Sequence, residues 1–298
     1  GGTGSVLNLG ERVGQTAYDY KGDLDELGIW DTALTTVEVK ALYESQKGQW
    51  LDQNLLAYYK FDEVSGTTIY DSARSHNGTL TNGVTINARG MWDSNALELD
   101  GINDHVDVPY DIDLSGNELT VCSWLKLDSD AGSVDDALFG KYDTAENNRI
   151  WLLYQDISTQ KLHFIVSDNG VYNVANEIEF STTLPYGQWN HVCVQYDGDY
   201  SYTYLNGRLD NSKDVANSLY QASQEFSIGC IYASDSCLAN SYFDGGIEEL
   251  KVYNRVLTNT EILQDYNKFL ESKFVASGDS IISDDTLAAR GWNTIKVN

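Results

Sequence analysis

Apolar and polar residues alternate in short runs along most of this chain. Near its start Leu24, Leu27 and Ile29 sit among acidic residues, and near residue 250 Ile247, Leu250 and Val252 repeat the arrangement. This period marks strands with one buried face. The two runs open two copies of one stretch, because Gly22–Glu38 returns without a gap as Gly245–Glu261. Each copy closes on Leu-Thr-x-x-Glu. The Thr side chain can accept from the amide three residues on while the Glu reaches back, which predicts a capped amphipathic helix after each strand. A repeat this widely spaced is a whole domain, since solenoid periods run only to roughly 50 residues.

From Leu55 onward, strand-like runs are separated by turn signals at Ser65-Gly66, Asn82-Gly83, Ser115-Gly116, Asp168-Asn169-Gly170 and Asn206-Gly207. Lys161–Ser167 and Val171–Val174 flank Asp168-Asn169-Gly170 and read as a hairpin, as do Tyr200–Leu205 and Arg208–Leu209 about Asn206-Gly207. The pattern predicts two antiparallel sheets packed face to face, with Trp124 and Trp189 in the core on facing or neighbouring strands. Residues 1–50 are expected to be the closing part of a preceding domain and 51–271 a complete one. Residues 272–298 are expected to begin a further β-domain or to form an extension that packs on a neighbour.

Six motifs occur in order. They are Leu55–Glu63; Tyr70-Asp71-Ser72 with Asn77-Gly78-Thr79-Leu80; Ala96–Val106; Leu119–Lys126; Gly187–Val194 with Asn206-Gly207; and the closing Gly245–Glu261. Together they resemble the LamG-like jelly-roll domains of the concanavalin A-like lectin/glucanase superfamily. The resemblance implies an all-β, antiparallel two-sheet jelly-roll sandwich with short helices after the closing strand. It also implies a closing strand that returns beside the first, and a structural calcium ion where they meet. Carried over residue by residue, the ligands would be Asp71, Asn77 and Glu248, with Asp104 a weaker candidate and Asp25 the counterpart of Glu248 in the partial copy. Calcium takes six to eight oxygens, which acidic turns can supply. The segment Ser72–His76 departs from the family's usual Ser-Gly turn.

Charge narrows the functions. The chain holds 45 acidic against 19 basic residues, a net charge of −26. Nucleic-acid binding wants a basic footprint, so it is excluded. The acidity suits a salty, extracellular, cell-surface or particle-surface setting, or partial neutralisation by divalent cations. No apolar run has the length of a membrane span. Four cysteines divide by position. Cys230 and Cys237 fall in a loop that is longer in the second copy than in the first, and a local disulfide is expected there. Cys122 and Cys193 fall on core strands and read as buried reduced thiols.

Candidate chemistry points to binding rather than catalysis. Glycoside hydrolysis needs two carboxylates about 5–5.5 Å apart for retention, or further apart for inversion. The pair Asp23/Asp25 alternates correctly but is lost in the full copy, where Gly246 replaces Asp23, and Glu177/Glu179 has no third acid and reads as a solvated strand face. No Gly-x-Ser-x-Gly elbow or phosphate loop is present. His191 reads as a structural histidine. Sugar recognition wants an aromatic platform beside amides and carboxylates. Tyr142, Asn148, Arg149 and Trp151 offer that mix, as do Asp168, Asn169 and Tyr172, with Tyr232 on the stapled loop as a rim residue. Alternation leaves Trp151 divided between core and platform. The family resemblance implies a non-catalytic adhesion module for glycan or surface protein. Its alternatives are a structural repeat of a fibre, sheath or viral tail, whose partners would be neighbouring subunits, and an accessory domain of a secreted glycosidase.

Overall fold

The computed structural model describes residues 29–30, 32–36, 39, 52, 54–87, 90–91, 95–108, 112, 116–128, 135–215, 218–234 and 236–274, without the side chains of 87 and 269–274. The chain divides into two units, Gly1–Leu51 and Asp52–Asn298. The domain end expected within residues 1–50, including Asp25, lies almost wholly outside the described residues. The extension expected beyond residue 272 lies outside them after Phe274.

Among the described residues sixteen strands form two eight-stranded sheets. In chain order they are β1 Leu55–Tyr59, β2 Thr68–Ile69, β3 Gly78–Thr81, β4 Thr85–Asn87, β5 Ala96–Asp100, β6 His105–Val108, β7 Leu119–Leu127 and β8 Asp136–Asp143. There follow β9 Asn148–Gln155, β10 Leu162–Gly170, β11 Glu177–Glu179, β12 Trp189–Tyr196, β13 Tyr200–Leu205, β14 Arg208–Asp214, β15 Phe226–Ile228 and β16 Asp244–Tyr253. A helix, α1, follows β16 at Asn259–Phe274. The first sheet has the order β14-β13-β12-β7-β16-β5-β4, with β1 also beside β16. The second has the order β11-β10-β9-β8-β15-β6-β3-β2. All pairings between these strands are antiparallel, and the fold is the expected jelly-roll sandwich.

The closing strand does return beside the opening one. β16 lies against β7 along one edge, and its other edge is shared by β5 (Ile247 opposite Leu97) and β1 (Leu250 opposite Tyr59). Alternation then fills the interior. Val121, Leu125, Val192, Val194, Ile247, Leu250 and Val252 from the first sheet join the core that holds Phe139, Trp151, Leu153, Phe164 and Phe226 from the second. Each such side chain contributes roughly 1.5–3 kcal/mol by leaving water. Trp151 is 1% exposed and packs on Phe226 at 5.7 Å, so it is a core residue and not a sugar platform.

Two expectations are corrected on the outer face of the first sheet. Trp124 and Trp189 do lie on neighbouring strands, but they are on the alternate positions that point away from the interior. Trp124 is buried there by stacking on Tyr266 of α1, with ring centroids 5.5 Å apart. Cys122 and Cys193, expected as reduced thiols, are bonded to each other. Their strands bring them opposite one another on one rung, with Cα atoms 4.1 Å apart, under Leu257 and Ile262. Side chains that share a rung and a face meet. The third correction concerns a hairpin. β10 continues through Asp168-Asn169-Gly170, and the chain returns as β11 at Glu177–Glu179 rather than at Val171–Val174. Asn173 caps a one-turn 3₁₀ helix at Val174–Asn176 by accepting from the Ala175 amide, which delays the return.

Candidate functional site

The outer face of the second sheet carries a cluster built by strand alternation. On β9 and β10 the side chains of Leu152, Tyr154, His163 and Ile165 are on the opposite positions from the core residues Leu153 and Phe164. Register aligns them in rungs, with His163 between Tyr154 and Glu179, and Ile165 between Leu152 and Glu177. A bulge places Ile150 and Trp151 both inward, and this returns Arg149 to the outer face. The Arg149 guanidinium stands 5.6 Å from the ring centre of Tyr142.

Glu177 is the hub of the cluster. One carboxylate oxygen is 2.6 Å from His163 Nδ1, and the other accepts from the Tyr172 hydroxyl at 3.0 Å. The Tyr154 hydroxyl shares the same carboxylate, and its ring lies 5.3 Å from that of His163. Burial works to raise Glu177, but its bonds to His163 and Tyr172 hold it below its ordinary value. Burial likewise works to lower His163, but the Glu177 bond and charge, with Asp156 and Glu179 nearby, hold it above. Tyr172 is pushed up to about 12, first by burial and then by Glu177, so the phenol stays a donor. Lys161 closes the edge by donating to Glu179 at 2.5 Å.

The site residues expected from sequence separate into two groups. Tyr142, Arg149 and Tyr172 are brought together on this face, and burial pushes Tyr142 up to about 12 against the lowering pull of the Arg149 charge. Asn148 begins β9 opposite Asp143. Asn169 holds the Val171 amide, and Asp168 accepts from Asn176 at 3.5 Å, so both serve the turn behind Tyr172. Arg149 ties that turn down by donating to Thr144 O at 2.6 Å, Asn147 Oδ1 at 3.0 Å and Gly170 O at 3.3 Å. Tyr232 is no rim residue: it is 2% exposed, and its hydroxyl donates to Asp107. Sequence reasoning missed Tyr154, His163 and Glu177. Their signal was the period of two through Tyr154 and through His163-Ile165, which needs the pairing register before it becomes a cluster.

Of the expected metal ligands, Asp71 and Asn77 are joined by a hydrogen bond, while Glu248 and Asp104 belong to other elements. Asp71 Oδ1 accepts the amides of Tyr58 and Ala73, and its Oδ2 the amide of His76, while Asn77 Oδ1 accepts the Asp71 amide. Glu248 is buried on the outer face of the first sheet and accepts the Met91 amide at 3.0 Å. Asp104 sits in the turn between β5 and β6. Two soft groupings occur among the described residues, His105 with Cys230 and Cys237, and His191 with Cys122 and Cys193. In both, the sulfurs form a disulfide, which removes them as thiolate ligands.

No curated protein matches this chain. Among solved structures it is similar to the binding domain of Paraclostridial Mosquitocidal Protein 1, at 16% identity and a TM-score of 0.56, covering 74% of this chain and 53% of that one. It is similar to the receptor binding domain of botulinum neurotoxin mosaic serotype C/D, at 17% identity and a TM-score of 0.55, covering 72% and 51%. The chain therefore spans about half the length of these toxin domains. It is also similar to domain 4 of AbnA, a GH43 extracellular arabinanase from Geobacillus stearothermophilus solved with arabinotriose. That match has 20% identity and a TM-score of 0.51, covering 72% of this chain and 98% of that domain. A laminin G family model matches residues 100–263, more than half of the sequence. With the sandwich and its closing strand already in place, the chain belongs to the concanavalin A-like lectin/glucanases superfamily.

Proposed function

We propose that this chain is a non-catalytic carbohydrate-binding module that works outside the cell, with its ligand face on the outer side of the second sheet. The observation that carries the reading is Tyr172, about half exposed, with its hydroxyl fixed by the same carboxylate that His163 and Tyr154 share. An aromatic ring held at its hydroxyl by a half-buried carboxylate offers a sugar a stacking surface and fixed acceptors for hydroxyls. The two disulfides support an oxidising location. The likeness to an arabinanase domain solved with arabinotriose supports a glycan ligand, and it favours an accessory module of a secreted glycosidase as the specific form. Net charge −26 favours neutral or amino sugars over acidic ones, which the surface would repel.

Titration calorimetry of the full chain with arabinotriose and a panel of neutral, amino and acidic oligosaccharides tests this. Binding should weaken at least tenfold in Tyr172→Ala, about 1.4 kcal/mol, while circular dichroism and melting stay unchanged. Absence of binding across the panel, or equal binding by Tyr172→Ala and Glu177→Gln, would falsify the assignment. Sugar release by this chain from the parent polysaccharides would make it an enzyme.

A further inference from the structure

Four metal-ligating side chains meet on the outer face of the first sheet, beneath α1. Cys122 on β7 and Cys193 on β12 lie opposite one another, and His191 stands two residues before Cys193. The strand period of two brings all three onto one face. Their donor atoms lie within 4.8 Å of one another, with His191 Nε2 4.0 Å from Cys193 Sγ. The fourth side chain comes from α1, where Asp265 Oδ2 is 3.1 Å from the same His191 nitrogen. Lys251, opposite Cys122, holds the other Asp265 oxygen at 2.5 Å. His191 Nδ1 is buried and makes no hydrogen bond among the described residues. No bond on that side of the ring therefore fixes which nitrogen carries the proton.

We propose that reduction of the Cys122–Cys193 disulfide turns these four side chains into a zinc site, with Cys122 Sγ, Cys193 Sγ, His191 Nε2 and Asp265 Oδ2 as ligands. A dithiol opens the bond by exchange. It gives up two electrons and two protons, becomes a disulfide itself, and leaves Cys122 and Cys193 as thiols. Zn²⁺ then takes both as thiolates, and their two protons pass to solvent. A more oxidising disulfide reverses the exchange and releases the metal. Tetrahedral zinc with ligands at about 2.0–2.3 Å sets its donor atoms roughly 3.3–3.8 Å apart. The carboxylate–imidazole and imidazole–sulfur separations, 3.1 and 4.0 Å, already lie close to that range, so the main movement needed is the parting of the sulfurs. Two thiolates and an imidazole select zinc over calcium and magnesium, which take oxygen ligands. The three anionic ligands leave one negative charge on the filled site, and the Lys251 ammonium offsets it. Both cysteines and His191 are at most 1% exposed, with Leu257 and Ile262 packed on the cysteines. Four protein ligands in a closed setting mark a structural zinc rather than a catalytic one, which keeps a position open. Chains hold their thiols reduced until they reach an oxidising compartment. In that earlier state zinc ties α1 to β7 and β12, whereas the disulfide later joins the two strands alone.

The test uses the full chain carrying Cys230→Ser and Cys237→Ser, so that only the Cys122–Cys193 pair responds. The chain is treated with chelator, reduced by a phosphine under nitrogen, freed of both reagents, and titrated with zinc and in parallel with cobalt(II). The reduced chain should bind one zinc and give the absorption of tetrahedral, thiolate-bound cobalt. Zinc should also raise its melting temperature by several degrees, because an ion held only by the folded state stabilises it. The oxidised chain should show none of these responses. Asp265→Asn should bind zinc at least tenfold more weakly, which separates a site completed by the docked helix from cysteines that bind metal in an unfolded chain. If Asp265→Asn does not fold, the melting response of the reduced parent decides. A melting temperature unmoved by zinc, equal binding by the oxidised chain, or undiminished affinity in a folded Asp265→Asn would overturn the site.

Discussion

Asp71 shows what a single residue can conceal. An acid in a turn is visible in the sequence, but its carboxylate is engaged by the amides of Tyr58, Ala73 and His76 at 2.8–3.1 Å, so it organises the segment from Ser72 to His76 and holds it to β1. Hydrogen bonds to charged groups are worth about 1.5–3 kcal/mol each. Asp71→Ala should therefore lower unfolding free energy by about 3 kcal/mol or more in urea, with or without calcium. Gly170 has a similar local role behind the binding face. Its φ of 81° and the closeness of Asn147 O, 1.9 Å from an added methyl, exclude a side chain. Gly170→Ala should destabilise the chain and weaken glycan binding together, because Tyr172 stands only two residues further on. The pair His163 and Glu177 adds a pH dependence of defined sign. A raised histidine contributes stability that is complete below its unfolded value near 6.5 and fades as pH rises through the folded one. A lowered glutamate contributes above its unfolded value near 4.5 and fades as pH falls. The pair therefore supports the fold most between about pH 4.5 and 6.5. Wild type minus Glu177→Gln melting temperature, scanned from pH 4 to 9, should peak in that window. A flat difference would count against the pair.

At the scale of elements, local signals were legible and long-range pairing was not. Thr258 and Glu261 form the reciprocal cap expected of Leu-Thr-x-x-Glu, with the Thr258 amide 2.8 Å from Glu261 Oε2 and the Glu261 amide 3.2 Å from Thr258 Oγ1. Four residues contain that whole interaction, so spacing sufficed. Asn206 and Gly207, both at positive φ, turn β13 into β14 for the same reason. The Cys122–Cys193 bond depends on the register of β7 against β12 across 71 residues, which no local pattern encodes. The same gap hid the cluster of Tyr154, His163 and Glu177, and let Trp124 pass for an interior residue when α1 covers it from outside. Chain entropy makes the long bridge worth about 4 kcal/mol and the short Cys230–Cys237 loop about 2.5 kcal/mol. In guanidinium unfolding, Cys122→Ala with Cys193→Ala should lose more stability than Cys230→Ala with Cys237→Ala. The reverse order would mean that the short bridge constrains the native loop more than the unfolded chain.

For the whole molecule, two layers hold the apolar residues and leave an excess of acid outside. Ion pairs such as Lys126 with Glu98, Lys161 with Glu179 and Arg255 with Glu261 use some of the 19 cations, against 45 acids. Most carboxylates must then face one another through water. Their repulsion acts over the Debye length, about 30 Å at 0.01 M and 8 Å at 0.15 M salt. In the unfolded chain the same charges lie further apart, so self-repulsion works against the compact state. Salt weakens the repulsion and the exposed ion pairs alike, but with more than two acids per base the repulsive contacts outnumber the attractive ones. Raising sodium chloride from about 10 to 150 mM should therefore increase the melting temperature, by about 2–4 °C if the relief is near 1 kcal/mol in a chain of this size. Potassium chloride should match it, because screening depends on ionic strength and not on ion identity. A fall in melting temperature would mean that the few ion pairs, including the half-buried Lys251 with Asp265, outweigh the net charge.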